Sequence, residues 1–340
     1  MSVASKPLRM KWRSIYIFVA VLLAMVSPLW AAADVQFGNK TVIHFASVNE
    51  GQKVLMAKDD FVRHLSPFDR SARMKMDKPV SEDEYLAFVG KNVVEWTTEE
   101  MRSAEAALKE IQSRLTELPV AFPATINLIK TTGAEEGNAA YTRGTAIILP
   151  KGDLGRNPND LAKLVCHELF HVLSSQNLPL REELYGLIGF VPCDDLELPR
   201  ELATRKITNP DGPRNDHFIR LEIDGRKCAA IPVLLSRAET YDVSRGGEFC
   251  EYLDFQFLVV QEKPGSHRVE VIRENSTPKL VTPRAVSGFL EQVGGNTQYL
   301  IHPDEILADN FVLLVLGEQN VPSPEVLQKM KTVLARSPKH

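Results

Sequence analysis

Two histidines and a glutamate in the stretch CHELFH are the side chains of this sequence that most clearly predict a chemistry. His167, Glu168 and His171 fit the pattern H-E-x-x-H. Residues four apart on a helix lie on one face, about 6 Å apart along the axis, so both imidazoles can bind one ion. Glu168 lies one position round the helix, where it can accept a proton from a water on that ion. The pattern therefore predicts one Zn²⁺ per chain, with Glu168 as general base.

The residues around the motif predict that its helix is buried. Apolar side chains surround the histidines: Leu161, Leu164, Val165, Leu169, Val172 and Leu173. Buried polar groups need partners, and a zinc ion would satisfy both histidines and the glutamate. The alternative interpretation is a core helix whose two histidines are incidental.

A catalytic zinc site needs a third protein ligand and an open fourth position. The metzincin continuation H-x-x-G-x-x-H is excluded, because Ser174 and Asn177 stand at its glycine and second histidine. The nearest downstream acids are Glu182 and Glu183, and His217 is a further alternative.

Glu305 and Asp309 are the favoured partners of the motif. They lie four apart in HPDEILADNF, on one face of a helix that is expected to begin at Pro303. Glu305 is interpreted as the third ligand, and Asp309 as the acceptor of a hydrogen bond from a ligand histidine. The alternative is that both acids occupy the exposed first turns, where the helix dipole favours them. That alternative fits Glu305 better than Asp309, which belongs to the second turn.

An H-E-x-x-H helix followed by E-x-x-x-D on a later helix resembles the gluzincin group of zinc metallopeptidases, which includes thermolysin. The resemblance implies zinc bound by His167, His171 and Glu305, with Asp309 orienting a histidine. It also implies a zincin-like core within an α+β fold, in which a small sheet packs against the motif helix. The strand GTAIILP (144–150) would be the sheet edge that pairs with an extended peptide. The interval of 134 residues between His171 and Glu305 is longer than in the thermolysin branch and must hold an insert.

A polar group is also expected to stabilise the oxyanion of a tetrahedral intermediate. Gluzincins commonly use a tyrosine or a histidine there. Tyr299 and His302 lie just before the Glu305 helix, and Tyr241 lies in the insert. Each of the three has a packing or surface role as its alternative.

These residues together predict an exported zinc metallopeptidase that hydrolyses peptide bonds in a peptide or protein substrate by a zinc-activated water. The alternative is a zinc-binding or protein-binding module of the same fold without turnover. The presence of Glu168 favours the enzyme, because a purely structural zinc site does not need that acid.

The N-terminus has the layout of a secretory signal peptide, residues 1–33. Four basic residues precede an apolar run of about 16 residues that ends in AAAD. That run is shorter than the roughly 20 residues needed to span a bilayer, so cleavage after Ala33 is favoured over an uncleaved anchor. Cleavage leaves 36 basic and 44 acidic residues, a net charge of −8, so nucleic acid is not expected as a partner. The predicted product is periplasmic or secreted, without a membrane anchor.

The remaining chain is expected to contain a mainly helical region, 34–118, and a catalytic region, 119–340, with a β-rich insert at about 193–275. Strands are predicted at 40–48, 124–132, 144–150, 217–223, 228–235, 254–260 and 267–273. Helices are predicted over most of 58–118 and at 157–177, 283–293, 303–316 and 323–336. Cys166 is expected in the core, and a disulfide is predicted among Cys193, Cys228 and Cys250, with Cys228–Cys250 favoured.

Overall fold

A five-stranded sheet packs against the helix that contains the motif residues. Its strands are β1 (Asp34–Phe37), β2 (Thr41–Phe45), β3 (Thr125–Thr131), β4 (Tyr141–Arg143) and β5 (Ala146–Pro150), in the order β1-β2-β3-β5-β4. Strands β2, β3 and β5 are mutually parallel, whereas β1 and β4 are antiparallel to their neighbours. The computed structural model describes residues 34–116 and 118–336, so the predicted signal peptide, 1–33, lies outside the described residues.

The edge strand is β4 and not the predicted strand 144–150. A turn at Gly144, where φ is +61°, folds Tyr141–Arg143 back against β5 as a tight hairpin. Glycine adopts this left-handed conformation without steric cost, and such turns suit antiparallel hairpins. The edge prediction was therefore wrong by one strand, because a strand of three residues gives almost no periodic signal.

A second, antiparallel sheet forms the β-rich region. It contains β6 (Phe190–Pro192), β7 (His217–Ile223), β8 (Arg226–Ser236), β9 (Leu253–Glu262) and β10 (Val269–Val271), in the order β10-β9-β8-β7-β6. A short ladder joins β11 (Arg273–Glu274) to β12 (Thr277–Pro278), and β13 (Leu280–Val281) pairs with β9. The strands predicted at 217–223, 228–235 and 254–260 are confirmed, and 267–273 is divided between β10 and β11.

The helices in the described residues are α1 (Val48–Leu55), α2 (Asp60–His64), α3 (Pro67–Arg73), α4 (Glu82–Asn92), α5 (Thr98–Leu115), α6 (Pro158–Gln176), α7 (Leu178–Leu187), α8 (Arg200–Ala203), α9 (Phe289–Val293), α10 (Pro303–Leu316) and α11 (Pro324–Arg336). With the sheets they confirm the α+β class and the mainly helical stretch 58–118. The strand predicted at 40–48 ends early, because Ser47 and Glu50 form a capping box that begins α1. The helix predicted at 283–293 begins only at Phe289, after Gly288 with φ of +83°.

The main core lies where α5, α6 and α10 pack together beside the five-stranded sheet. Phe170 of α6 and Phe311 of α10 are both fully buried, with ring centroids 5.5 Å apart. Cys166 is buried in this core, as expected. All four cysteines are free thiols, so the predicted Cys228–Cys250 disulfide is wrong. Cys228 belongs to the ladder between β7 and β8, whereas Cys250 is an exposed residue of a short 3₁₀ turn.

Among the described helices, none combines the length and the apolar character that a bilayer crossing needs.

Candidate metal centre

Helix α6 presents the motif residues to α10. The side chain of Asn157 accepts a hydrogen bond from the backbone N–H of Asp160 at 3.0 Å, and Pro158 occupies the first turn. The helix therefore begins after Asn157 and ends at Asn177, as the sequence predicts. From this start the helix runs into the core, so His171 is only 2% exposed.

Helix α10 brings a second set of acidic side chains to the same place. His302 caps the helix, its Nδ1 accepting a hydrogen bond from the backbone N–H of Asp304 at 3.1 Å. Asp304 and Glu305 are 1% and 2% exposed. Burial of this degree excludes the interpretation of Glu305 as a solvated first-turn acid.

The two motif histidines and Glu305 converge on one point. Nε2 of His167 lies 3.1 Å from Oε2 of Glu305, and Nε2 of His171 lies 3.6 Å from the same oxygen. Tetrahedral zinc with bonds of about 2.0–2.2 Å places its ligand atoms about 3.4 Å apart. The observed spacing therefore suits a zinc ion bound by these three side chains.

One atom of this cluster is a buried nitrogen with no partner. Nε2 of His171 has no hydrogen-bond partner among the described residues, although it is fully buried. A buried polar atom left unpaired costs roughly 1–3 kcal/mol. Zinc at the centre of the cluster would bind this nitrogen, so the donor set fits the metal.

Two further carboxylates orient the histidines by contacting their Nδ1 atoms, on the side of each ring away from Nε2. Nδ1 of His167 lies 3.0 Å from Asp309, and Nδ1 of His171 lies 2.6 Å from Asp304. With a metal bound, each of these bonds would keep the proton of the neutral imidazole on Nδ1 and leave Nε2 to bind the ion. The structure thus places Asp309 where the sequence predicted it, and adds Asp304 as its counterpart.

Glu168 lies beside the cluster and is 2% exposed. The hydroxyl of Thr142, on edge strand β4, donates a hydrogen bond of 3.0 Å to its Oε2. Burial raises the pKa of Glu168, and the charges of His171 and His167 oppose that rise. A carboxylate with a raised pKa, held but not neutralised, is suited to accept a proton.

The charges of the cluster are strongly linked. Burial lowers the pKa of His167, but its hydrogen bonds to Asp309 and Glu305 outweigh burial and raise the pKa to about 10. Burial also opposes the charged form of His171, yet Asp211 and Glu305 hold its pKa well above the usual range. Burial opposes ionisation of Glu305 too, and the two histidines hold its pKa well below normal. The cluster therefore stabilises positive charge at the two histidines, either as bound protons or as a bound metal ion.

Two clefts flank the cluster. The first, of about 510 Å³, is lined by Glu168, Glu305 and Asp309, and Tyr299 forms part of its wall. The ring of Tyr299 lies 6.5 Å from that of His167 between centroids. The second cleft, of about 360 Å³, is lined by His171 and His302.

Comparisons with known protein families, with curated proteins and with solved structures find no match to this chain. The arrangement of these side chains is therefore the basis for any functional conclusion.

The other predicted site residues lie apart from the cluster. Glu182 pairs with Nε2 of His217 at 2.9 Å, so these two alternative ligands contact each other and not the motif histidines. Glu183 is exposed. Tyr241 packs in a separate apolar cluster and donates its hydroxyl to the carbonyl of Gly247 at 2.8 Å, which is a structural role.

Four residues of the site were missed from the sequence: Thr142, Asn209, Asp211 and Asp304. Asn209 donates its side-chain amide to Oε1 of Glu305 at 2.6 Å, and Asp211 accepts the backbone N–H of Thr142 at 2.8 Å. Asp304 adjoins Glu305 in the sequence, and this adjacency was the available signal. Asn209 and Asp211 belong to the stretch NPDGP, whose residue types predict a turn. The sequence of a turn does not show which distant residues the turn contacts. Its position at the site could therefore not be predicted.

Proposed function

We propose that this chain is a zinc-dependent metallopeptidase of the gluzincin type, with a zincin-like catalytic core. The observation that carries the proposal is the convergence of His167, His171 and Glu305 on one point. Glu168 lies beside these three side chains but is not a member of that group of three. Zinc bound there would supply a Lewis acid and lower the pKa of a coordinated water. The remaining chemistry belongs to the side chains around it.

Glu168 is proposed as the general base and then as the general acid. Its carboxylate accepts a proton from the attacking water and passes it to the leaving amine nitrogen. The hydrogen bond from Thr142 fixes one carboxylate oxygen, which leaves the other for the water. Burial and the raised pKa make Glu168 a stronger base than a solvated carboxylate.

Strand β4 is proposed to bind the peptide substrate. Its outer edge is unpaired by any other strand in the described sheet, and an extended peptide can add there by backbone hydrogen bonds. Thr142 links this edge directly to Glu168. A peptide on β4 would therefore lie across the general base.

Tyr299 is the proposed oxyanion donor, and His302 has a positioning role. Tyr299 lines the same cleft as Glu168 and Glu305, and the residue is 45% exposed and so accessible to substrate. His302 instead caps α10 and lines the second cleft. Export is proposed from the signal-peptide layout of residues 1–33, and N-terminal sequencing that begins near Asp34 would support it.

The decisive experiment combines metal analysis with a hydrolysis assay. The purified full chain should contain one zinc, and hydrolysis of fluorescent casein should require it. Glu168→Gln should keep its zinc and lose about 10²–10⁴-fold in turnover, because an amide cannot accept the proton. Glu183→Gln makes the same change at an exposed position of α7 and should keep full activity. A chain that takes up no zinc, or a Glu168→Gln variant with undiminished hydrolysis, contradicts the proposal.

A further inference from the structure

Asn209 contacts Glu305, the proposed third zinc ligand. Its side-chain amide donates a hydrogen bond to Oε1 of Glu305 at 2.6 Å. Nε2 of His167 and Nε2 of His171 lie instead near Oε2 of Glu305, at 3.1 Å and 3.6 Å. The two oxygens of this buried carboxylate therefore have different partners. Oε1 faces the amide, and Oε2 faces the proposed metal position.

The orientation of the Asn209 amide is fixed by a second hydrogen bond. Its Oδ1 accepts the backbone N–H of Asp211 at 3.1 Å, as in an Asx turn. Because Oδ1 faces this N–H, the NH₂ group faces Glu305. Exchange of the two groups would place an oxygen against the carboxylate and an NH₂ against the N–H. The turn therefore presents a hydrogen-bond donor to Glu305.

The residue before Asn209 is held by helix α3. The backbone N–H of Thr208 donates to Oδ1 of Asp69 at 3.0 Å, and its carbonyl accepts from Nη2 of Arg73 at 2.9 Å. Thr208 and Asp69 are fully buried, and Arg73 is 2% exposed. A buried polar network whose groups are paired is rigid. Asn209 therefore approaches Glu305 from a rigid support.

The contact with Asn209 affects how Glu305 can bind a metal. A carboxylate can bind a metal ion through one oxygen or through both. A catalytic zinc ion keeps its fourth position for water. If Glu305 bound through both oxygens, Oε1 would compete with that water. The hydrogen bond from Asn209 engages Oε1 and leaves Oε2 as the oxygen directed at the histidines.

We infer that Asn209 is a positioning residue, which makes Glu305 a ligand through Oε2 alone and so keeps the fourth zinc position open for water. The inference rests on the proposed zinc site. Asn209 acts through Glu305 and does not itself bind the ion. Through Thr208, helix α3 of the N-terminal helical region then supports the orientation of a zinc ligand.

Asn209→Ser separates this role from the structural role of the turn. A serine hydroxyl can still accept the N–H of Asp211, but it is one bond shorter than the amide and does not reach Glu305. The matched control is Asn215→Ser, which removes an amide that donates to the carbonyl of Leu196 at 3.0 Å. Asn209→Ala is a second variant, for use if circular dichroism shows that the serine variant is not folded.

The first measurement is zinc affinity by chelator competition. Asn209→Ser should bind zinc about 10–100-fold more weakly than the parent, the range for residues that orient a ligand, and Asn215→Ser should bind it equally well. In a Glu305→Ala background, adding Asn209→Ser should change the affinity by less than about twofold, because the residue through which it acts is gone. A loss of the same size in that background would overturn the inference.

The second measurement is the visible spectrum of the Co²⁺-substituted protein. Four-coordinate Co²⁺ absorbs visible light more strongly than five-coordinate Co²⁺. Asn209→Ser should have weaker bands per bound ion than the parent, because Glu305 becomes free to bind through both oxygens. An unchanged spectrum or an unchanged zinc affinity would overturn the inference and leave the proposed peptidase standing. If the parent binds no zinc, the proposed zinc site and the inference fail together.

Discussion

Nδ1 of His171 lies 2.6 Å from Oδ2 of Asp304, and both side chains are 2% exposed. Asp304 also accepts hydrogen bonds from the hydroxyls of Ser174, at 2.5 Å, and Tyr185, at 2.8 Å. Two hydroxyls thus hold one buried carboxylate, which in turn holds the imidazole of His171. This arrangement directs the unpaired Nε2 of His171 toward Glu305.

Asp304→Asn and Asp309→Asn should each weaken zinc binding by about 10–100-fold, the range for residues that orient a ligand histidine. Asp304 should have the larger effect, because it is buried and has three donors, whereas the Asp309 side chain is 35% exposed. Zinc retention in a chelator series measures both. Asp224→Asn, at an exposed turn where Asp224 contacts Lys279, is the control and should retain zinc like the parent. Unchanged retention in both variants would remove the carboxylates from the metal site.

Glu305→Ala should weaken zinc binding more severely than either of those changes. Two histidines alone leave the ion short of three protein ligands, and the carboxylate also offsets its charge. The double change Glu182→Ala, Glu183→Ala should leave zinc binding intact, because Glu182 contacts His217 and Glu183 is exposed.

Circular dichroism should first establish that Glu305→Ala is folded, since the residue is buried. A folded variant that holds zinc as tightly as the parent would disprove Glu305 as the third ligand.

The parts of the site that were predictable are those encoded over a few residues. The spacing of His167 and His171 and the cap at Asn157 act within one helix, so helical geometry alone predicts them. The prediction of Glu305 and Asp309 required one further step. Two helices distant in the sequence had to be matched, because one offers histidines and the other offers carboxylates at the same spacing. The structure brings these residues together at 3.0–3.6 Å.

The parts that were not predictable depend on long-range placement. Strand β4 has three residues, and its position at the edge depends on the turn at Gly144. Asp211 reaches Thr142 from 69 residues away in the sequence. The disulfide prediction failed for the same reason, because cysteine spacing does not show which cysteines are neighbours.

Zinc binding should release protons at neutral pH. Without metal, the pKa of His167 is raised to about 10 and that of His171 lies well above its usual range. Both rings therefore favour the doubly protonated, cationic form at pH 7. Zinc binds only the neutral imidazole, so its affinity should rise with pH and level off above the raised pKa values. Calorimetric titration in buffers of different ionisation enthalpy measures the protons released. We expect between one and two, and a value near zero at pH 7 would contradict this linkage.

Glu135 should make the folded protein less stable as pH rises toward neutrality. Its side chain is fully buried in the loop between β3 and β4, and burial raises its pKa to about 7. Between about pH 4.5 and pH 7 the folded protein keeps a proton that the unfolded chain has lost. The free energy of unfolding should therefore fall over this window by up to about 3 kcal/mol and stay level above it.

Glu135→Gln imitates the protonated carboxyl at every pH. In urea unfolding it should match the parent near pH 4.5 and exceed the parent's stability by about 2–3 kcal/mol at pH 8. The neighbouring change Glu136→Gln is the control. Glu136 accepts two hydrogen bonds from the buried guanidinium of Arg73, so its loss should destabilise the protein at both pH values. A Glu135→Gln variant whose stability follows the parent's pH profile would show that Glu135 is ionised in the folded protein.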